Sequence, residues 1–519
     1  MYMGMHLIRA VKLFPERTAI VDGDLRFTYA QFNERVNRLA HGLSKRGLKK
    51  GDRVALLMPN CHQAVESDAV CYKTGLVKVP LNTRLSIPEL VHQMNNSEAH
   101  ALIVHPLFIE EIERHRADIQ TIEHYIAVSS TPGSMIDYEK VLAEGSPDEP
   151  QADVELDDLY SLNYTSGTSG VLKAAMLTHR NFLSLIRQSL LGTGMYPDYK
   201  PVTAYVAPVT HAAGGMLLPT FIKGGTQVLL NVFDLDLLFK TIEQERVTDI
   251  LLIPVMINFM LAFPEIKKYD YSSLRYIIYG TAPMAPERIR QALEIFGPIL
   301  RQGYGQTEST AVASWLGPED HVTNGDPVRE KRLGSAGLPC FEAEVRVVDE
   351  EGKDVPTGEV GEIILHGDFV IAGYWKDPEL TADTIKNGWL YTRDMGAFDE
   401  AGYLYLIDRK SDMIISGGFN IYPNEVENTL YEHPAVFEAA VVGVPDDEWG
   451  EAVKAVVVLK PGAEATEAEM IEHCKTRLAS YKKPKSVEFV QEIPKNPIGK
   501  VLRRLVREPF WKGHGRRVN

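Results

Sequence analysis

The sequence predicts an α/β protein with a large N-terminal domain of parallel-type sheets flanked by helices, a small β-rich subdomain, and a small α+β C-terminal domain. Three observations carry this prediction. The chain has 519 residues, too many for one core, so at least two domains are expected. Helix-like and strand-like stretches alternate from Thr28 to beyond residue 280, the signature of parallel strands covered on both faces. From about 334 to 407 short strands with Gly turns replace that alternation, and a compact α+β unit follows Asp408.

The elements follow in order. Thr28 begins an amphipathic helix in which Phe32, Val36, Leu39 and Leu43 recur at helical spacing, with Gly47 as its stop. Val54–Met58 reads as a buried strand, and Ala101–Val104 and Thr226–Leu230 repeat that signature. The apolar run Tyr276–Tyr279 ends on Gly280-Thr281-Ala282-Pro283-Met284. The carboxyl ends of strands in open α/β sheets face ligands, although the same residues also suit a plain strand-to-loop turn. Val345–Val348 and Glu362–Leu365 are strands of the β-rich part. The C-terminal unit holds a helix near 423–432 and strands at Ala439–Val442 and Ala455–Leu459. No internal repeat or low-complexity tract is evident.

Composition narrows the function classes. Hydrophobic content of 45% and charged content of 24% are ordinary for a globular enzyme. A net charge of −15 argues against a non-specific nucleic-acid binder. Local basic clusters, Lys482-Lys483-Pro484-Lys485 and Arg503-Arg504, suit the phosphates of a small ligand. Cys61, Cys71, Cys340 and Cys474 are scattered, without metal-type spacing or an accompanying His pattern, and read as reduced thiols of a cytoplasmic protein. No signal-peptide pattern is visible, and no run reaches the roughly 18 apolar residues of a spanning helix, so integral membrane association is not expected. Homodimer assembly is left open.

The most informative stretch is Tyr164-Thr165-Ser166-Gly167-Thr168-Ser169-Gly170-Val171-Leu172-Lys173-Ala174-Ala175. Glycines let backbone N–H groups approach a ligand, and hydroxyls add to a cradle for anionic oxygen. Lys173 supplies a point charge suited to phosphate. The spacing is not that of a Gly-x4-Gly-Lys-Ser/Thr loop, and by themselves these residues also suit a polar surface loop. Gln302-Gly303-Tyr304-Gly305-Gln306-Thr307-Glu308 sets an aromatic between two glycines, where a planar base can stack. Thr307 offers a hydroxyl, and Glu308 a hard carboxylate of the kind Mg²⁺ prefers; a lone Thr-Glu pair also suits a helix cap. Trp389–Asp394 ends on a carboxylate, which can accept two hydrogen bonds. Asp408–Gly418 and Pro494–Arg503, the latter containing Lys500, complete six ordered segments.

Together these segments resemble the adenylate-forming superfamily of acyl-CoA synthetases, aryl-CoA ligases, luciferases and peptide-synthetase adenylation domains, and most resemble a bacterial-type acyl-CoA ligase. The resemblance spans most of the chain. It implies an N-terminal adenylation domain of residues 1–408 and a mobile C-terminal domain of residues 409–519. It implies ATP, Mg²⁺ and CoA as reaction partners, together with a small carboxylic acid. Thr165, Ser166, Gly167, Thr168, Ser169, Gly170 and Lys173 map onto the phosphate loop. Gly280, Thr281, Ala282, Pro283, Gly303, Tyr304 and Gly305 map onto the adenine pocket. Thr307 maps onto the α-phosphate contact, Glu308 with Thr165 onto the metal site, Asp394 onto the ribose acceptor, and Arg409 onto the ribose and phosphate contact. Lys500 maps onto the lysine required for adenylation, a cation between two anions that must meet.

Five positions depart from the family pattern, one of them Ser169, which keeps the hydroxyl of the usual Thr. Leu172 and Ala174 replace a Pro and a Gly, Arg393 replaces a Gly, and Ser411 stands at the hinge where Asp or Lys is common. His211, in Pro208-Val209-Thr210-His211, maps beside the acyl substrate, and the small residues Ala212–Gly215 after it leave room for a branched, cyclic or aromatic acid as well as a fatty acid. Gly417 and Gly418 map onto the pantetheine tunnel, and Arg84, Trp449, Tyr481, Lys483 and Lys485 onto CoA contacts; for the lysines, solvated surface competes as a reading. The implied activity is ATP-dependent ligation of a fatty, aromatic or alicyclic acid to CoA through acyl-AMP. Transfer to an amine or a carrier-protein thiol is the alternative. A non-catalytic nucleotide binder is disfavoured by the retained Glu308, Asp394, Arg409 and Lys500.

Overall fold

The computed structural model describes residues 1–519 except 130–132, 167–171, 194–198, 283, 311, 496–500 and 513–519. Helix Tyr29–Ser44 shows how local sequence sets an element. Thr28 caps it through a reciprocal pair with Gln31, Thr28 N donating to Gln31 Oε1 at 2.9 Å. Its apolar positions, Phe32, Val36, Leu39 and Leu43, are buried in the core shared with helices Met3–Leu13 and His62–Thr74. The helix ends at Ser44, three residues before Gly47, which instead turns the following loop at φ +90°.

Two large sheets build the N-terminal part. One has seven strands in the order Ile136–Asp137, His124–Ala127, Ala101–Val104, Arg53–Leu57, Val77–Pro80, Leu159–Ser166, Leu172–Thr178. All its pairings are parallel except the last, a hairpin in which Thr165 faces Lys173 and Ser166 faces Leu172. The other has nine strands in the order Leu338–Pro339, Ser314–Leu316, Leu300–Tyr304, Tyr276–Gly280, Asp249–Leu252, Val202–Tyr205, Thr226–Leu229, Thr18–Asp22, Leu25–Thr28. Its middle pairings are parallel and its two edges antiparallel. Helices cover both, as near-continuous apolar strands such as Ala101–Val104, buried throughout, require.

A five-stranded antiparallel sheet follows between Glu344 and Arg409, its last strand being Leu404–Arg409. The C-terminal sheet also has five strands, dominated by the long pair Val436–Asp446 and Gly450–Leu459, and packs on helices Pro423–Tyr431 and Glu467–Lys475. It touches the nine-stranded part where Arg288 Nη2 donates to Val436 O at 3.3 Å and Phe437 meets Phe259.

Candidate active site

The proposed site residues converge on the carboxyl ends of Tyr276–Gly280 and Leu300–Tyr304. Gly280 and Gly303 face each other across this parallel pair. A Cβ on Gly280 would lie 2.4 Å from Gly303 O, and one on Gly303 would lie 2.8 Å from the Trp315 ring, so both positions need glycine. Thr281, immediately after, holds φ +68°, a strained conformation of the kind found at ligand sites. Ala282 continues this turn, Pro283 lies outside the described residues, and Gly305 follows the second strand.

Asp394 is held from three sides. Its Oδ2 accepts from Tyr304 Oη at 3.0 Å and from Gln306 Nε2 at 2.6 Å, and Arg409 Nε lies 3.1 Å from its Oδ1. Asp394 and Arg409 are register partners in adjacent strands, which explains the last contact. Burial and the neighbouring Asp394 charge push the Tyr304 phenol well up, so it remains a donor. Arg393, in the place of the family glycine, keeps φ +60°. It is anchored by its amide to Glu362 at 3.1 Å and by Nη2 to Asp383 at 2.5 Å.

Glu308 lies in the one-turn helix Thr307–Ser309. Its Oε1 accepts from Tyr374 Oη at 2.8 Å and from Thr165 Oγ1 at 3.4 Å. Tyr374 reaches it because residues 372–375 pair with the strand Leu172–Thr178: Met176 N donates to Gly373 O at 2.9 Å and Trp375 N to Ala174 O at 2.8 Å. The departures Leu172 and Ala174 are thus ordinary strand residues, paired with Ser166 and Tyr164. Among the described residues no cluster of three or more His, Cys, Asp or Glu could hold a metal. One carboxylate beside a hydroxyl fits Mg²⁺, which keeps several waters and shares substrate phosphates. Lys173 is the second residue of the strand Leu172–Thr178, whereas Gly167, Thr168, Ser169 and Gly170 lie outside the described residues, as does Lys500.

His211 stands at the mouth of the small-residue segment Ala212–Met216. Its Nδ1 is 2.9 Å from Thr210 Oγ1. Burial, with the charge of Lys78 adding, pushes its pKa down to about 4, so the ring is neutral at physiological pH. The loop is fixed by buried Asn60, whose amide donates to the carbonyls of Tyr205, Ala207 and Leu230, each at 3.0 Å, and whose Oδ1 accepts from Val209 N at 2.8 Å.

The residues mapped to CoA divide between the domains. Gly417 and Gly418 form the turn of the hairpin Ile414–Ile421, with φ of +56° and +82°. Gly417 packs under Trp449, where a Cβ would approach the ring to 2.2 Å. Tyr481 stacks on Phe419 at 4.6 Å, and Lys485 pairs at 2.5 Å with Asp446, which also caps Trp449 N. Lys483 is near them in sequence, and Arg84 lies on the N-terminal part in the loop after Val77–Pro80. Sequence reading missed Tyr374, Asn60 and Phe419, and passed over Gln306 within its motif. All four act across strands, where no local spacing signals the contact.

This fold, with one carboxylate held by three donors, a second beside two hydroxyls and a glycine-lined strand edge, is that of an adenylate-forming enzyme. The chain belongs to the AMP-binding enzyme family: it matches the AMP-binding enzyme domain over residues 7–375 and the AMP-binding enzyme C-terminal domain over residues 425–500. It is 40% identical over 510 residues to a feruloyl-CoA synthase of Amycolatopsis, covering 98% of this chain and 99% of that protein. Its fold is similar to that of an anthranilate CoA ligase solved with anthranoyl-AMP, with a TM-score of 0.90, 29% identity, and coverage of 98% and 97%. An amide bond synthetase of Marinactinospora thermotolerans gives a TM-score of 0.87 at 30% identity, covering 98% of this chain and all (100%) of that one. By type the enzyme is an AMP-forming acyl-CoA synthetase, a class that uses ATP and CoA.

Proposed function

We propose that the enzyme joins a carboxylic acid to CoA in two half-reactions at one site, with the roles assigned as follows. ATP binds with its ribose diol on Asp394 and its adenine along Gly280–Ala282 and Gly303–Gly305. The substrate carboxylate attacks the α-phosphorus; an O–P bond forms, the α–β bridging bond breaks, and pyrophosphate leaves. Thr307 and Lys500 stabilise the charge that develops. Mg²⁺, held by Glu308 and Thr165, would neutralise phosphate charge. Tyr374 and Thr165 orient Glu308, and neutral His211 shapes the acyl entrance without adding charge.

The domains meet at 408/409 in this reading, and the C-terminal domain then turns about Ser411. Lys500 leaves, and Gly417, Gly418 and Trp449 approach the acyl-AMP. CoA, guided by Arg84, Tyr481, Lys483 and Lys485, attacks as thiolate. The C–S bond forms, the C–O bond to phosphate breaks, and AMP departs. The carrying observation is the paired geometry of Asp394 under three donors and Glu308 between Tyr374 and Thr165. The acid is aromatic, alicyclic or fatty; the feruloyl-CoA synthase relative supports an aromatic one. A cytoplasmic location accords with the absence, among the described residues, of any helix long and apolar enough to cross a membrane.

The test is pyrophosphate release with ATP, Mg²⁺ and a panel of acids, with and without CoA. Sustained CoA-dependent turnover supports the ligase; release independent of CoA, or none, contradicts it. An amine acceptor is the second reading, favoured by the likeness to an amide bond synthetase; amide formation on adding amines in place of CoA would select it.

A further inference from the structure

A buried cation with no carboxylate at ion-pair distance among the described residues lies just inside the glycine-lined edge. Arg301 is two residues before Gly303 on the strand Leu300–Tyr304, so both positions face the same side of the sheet. Helix His179–Thr193 covers that side: Arg301 Nη1 donates to Gly192 O at 2.7 Å, and a Cβ on Gly192 would overlap Nη2. Trp315, register partner of Gly303, lies against that glycine and carries the guanidinium 4.5 Å over its ring.

Arg301 is 5% exposed, and no carboxylate among the described residues lies within ion-pair distance of it. Its Nε has no hydrogen-bond partner there, and neither does the indole Nε1 of Trp315. Other buried charges nearby do not compensate. Lys223 is a second buried cation, bonded to Thr193 Oγ1 at 2.5 Å; of the carboxylates that act on Arg301 from beyond ion-pair distance, Glu319 and Asp249, the latter has its carboxyl pushed up to about 6 by burial. A buried charge is retained at a cost unless something pairs with it, and buried N–H groups without acceptors are rare. Both features lie on the sheet face that carries Gly280 and Gly303.

We propose that Arg301, with Trp315 Nε1, binds an acceptor oxygen at the end of the substrate acid remote from its reacting carboxylate. The preferred substrates are therefore acids carrying a distal hydroxyl or carboxylate, in preference to the unsubstituted acid of the same skeleton. This rests on the Gly280–Gly303 edge being the site of adenylation.

The test compares kcat/KM for CoA-dependent pyrophosphate release within matched pairs: cinnamic acid against 4-hydroxycinnamic and 4-carboxycinnamic acids, and octanoic against octanedioic acid. The oxygenated member should win by at least about tenfold in one series, the scale of one hydrogen bond to a charged group. A stronger response to the carboxylate marks an anionic ligand group, a stronger response to the hydroxyl a neutral one. Arg301→Met should erase that preference, and Arg301→Lys should restore part of it. Equal or better use of the unsubstituted acids by the native enzyme overturns the proposal, even if Arg301→Met fails to fold. So does an Arg301→Met variant that keeps the preference. Absence of turnover with every acid instead overturns the ligase reading on which the proposal stands, and this proposal with it.

Discussion

Replacing Tyr374 with Phe removes one oxygen and little else. Tyr374 is 8% exposed and its hydroxyl donates to Glu308 at 2.8 Å, while the other donor, Thr165, is at 3.4 Å, near the limit of a useful bond. Hydrogen bonds to charged groups contribute about 1.5–3 kcal/mol. Glu308 is only half-buried, so the lower end applies. At about 1.4 kcal/mol per decade, the loss is roughly tenfold. On the role proposed for Glu308 in the metal–phosphate step, the loss should fall on adenylation. The assay is acid-dependent exchange of labelled pyrophosphate into ATP, titrated with Mg²⁺, beside thioester formation from supplied acyl-AMP. Tyr374→Phe should lower exchange about tenfold, raise the Mg²⁺ needed for half-maximal rate, and leave thioester formation within about twofold. Equal losses in both half-reactions, or an unchanged Mg²⁺ requirement, would refute this role for Tyr374.

Other perturbations separate the remaining parts. Lys500→Ala should abolish adenylation and spare thioester formation from acyl-AMP; equal loss of both would remove Lys500 from its assigned role. Gly417→Ala forces a Cβ to within 2.2 Å of Trp449 at φ +56°, and should slow thioester formation at least about tenfold while pyrophosphate exchange persists. Arg503 joins Glu427 at 2.7 Å, Asp408 at 3.3 Å and Asp412 at 3.4 Å; Arg503→Ala leaves these carboxylates facing one another and should destabilise the fold by about 3 kcal/mol, read by denaturant unfolding. His179 is fully buried, neither ring nitrogen has a hydrogen-bond partner among the described residues, and burial pushes its pKa down to about 4. The unfolded chain therefore binds the extra proton between about pH 6.5 and 4, and this group's contribution to stability is lost as pH falls through that window. His179→Phe should flatten the fall of Tm over that range; an unchanged slope would count against it.

Of the two strands that host the site, Tyr276–Gly280 was legible as a short apolar run with turn residues after it, whereas Leu300–Tyr304, with Arg301 and Gln302 inside it, was not. Ala101–Val104 matches its predicted limits, and Thr28 with Gln31 supplies the signal that starts the first long helix. The C-terminal strands run longer than their sequence suggests: Val436–Asp446 passes through Gly443 and Pro445. It is an edge strand, where a missing N–H costs no ladder bond, so its proline does not end it. Arg393 shows the converse. A residue other than glycine occupies a left-handed position, because Asp383 and Glu362 hold it there. Motif residues such as Glu308 and Asp394 announce themselves by type and order. Their partners do not. Tyr374 meets Glu308 across 66 residues, and Arg409 meets Asp394 only once two strands are in register. No motif in the sequence marks Arg301, and its burial appears only when helix His179–Thr193 closes over the sheet.

The central claim is that the acid is activated as acyl-AMP at this site. A turnover with acid labelled by ¹⁸O in both carboxylate oxygens tests it most directly. The account predicts one labelled oxygen in the phosphate of each AMP released and none in pyrophosphate, since the attacking carboxylate oxygen stays with AMP when sulfur displaces it. Unlabelled AMP, label in pyrophosphate, or ADP and phosphate as products would contradict it.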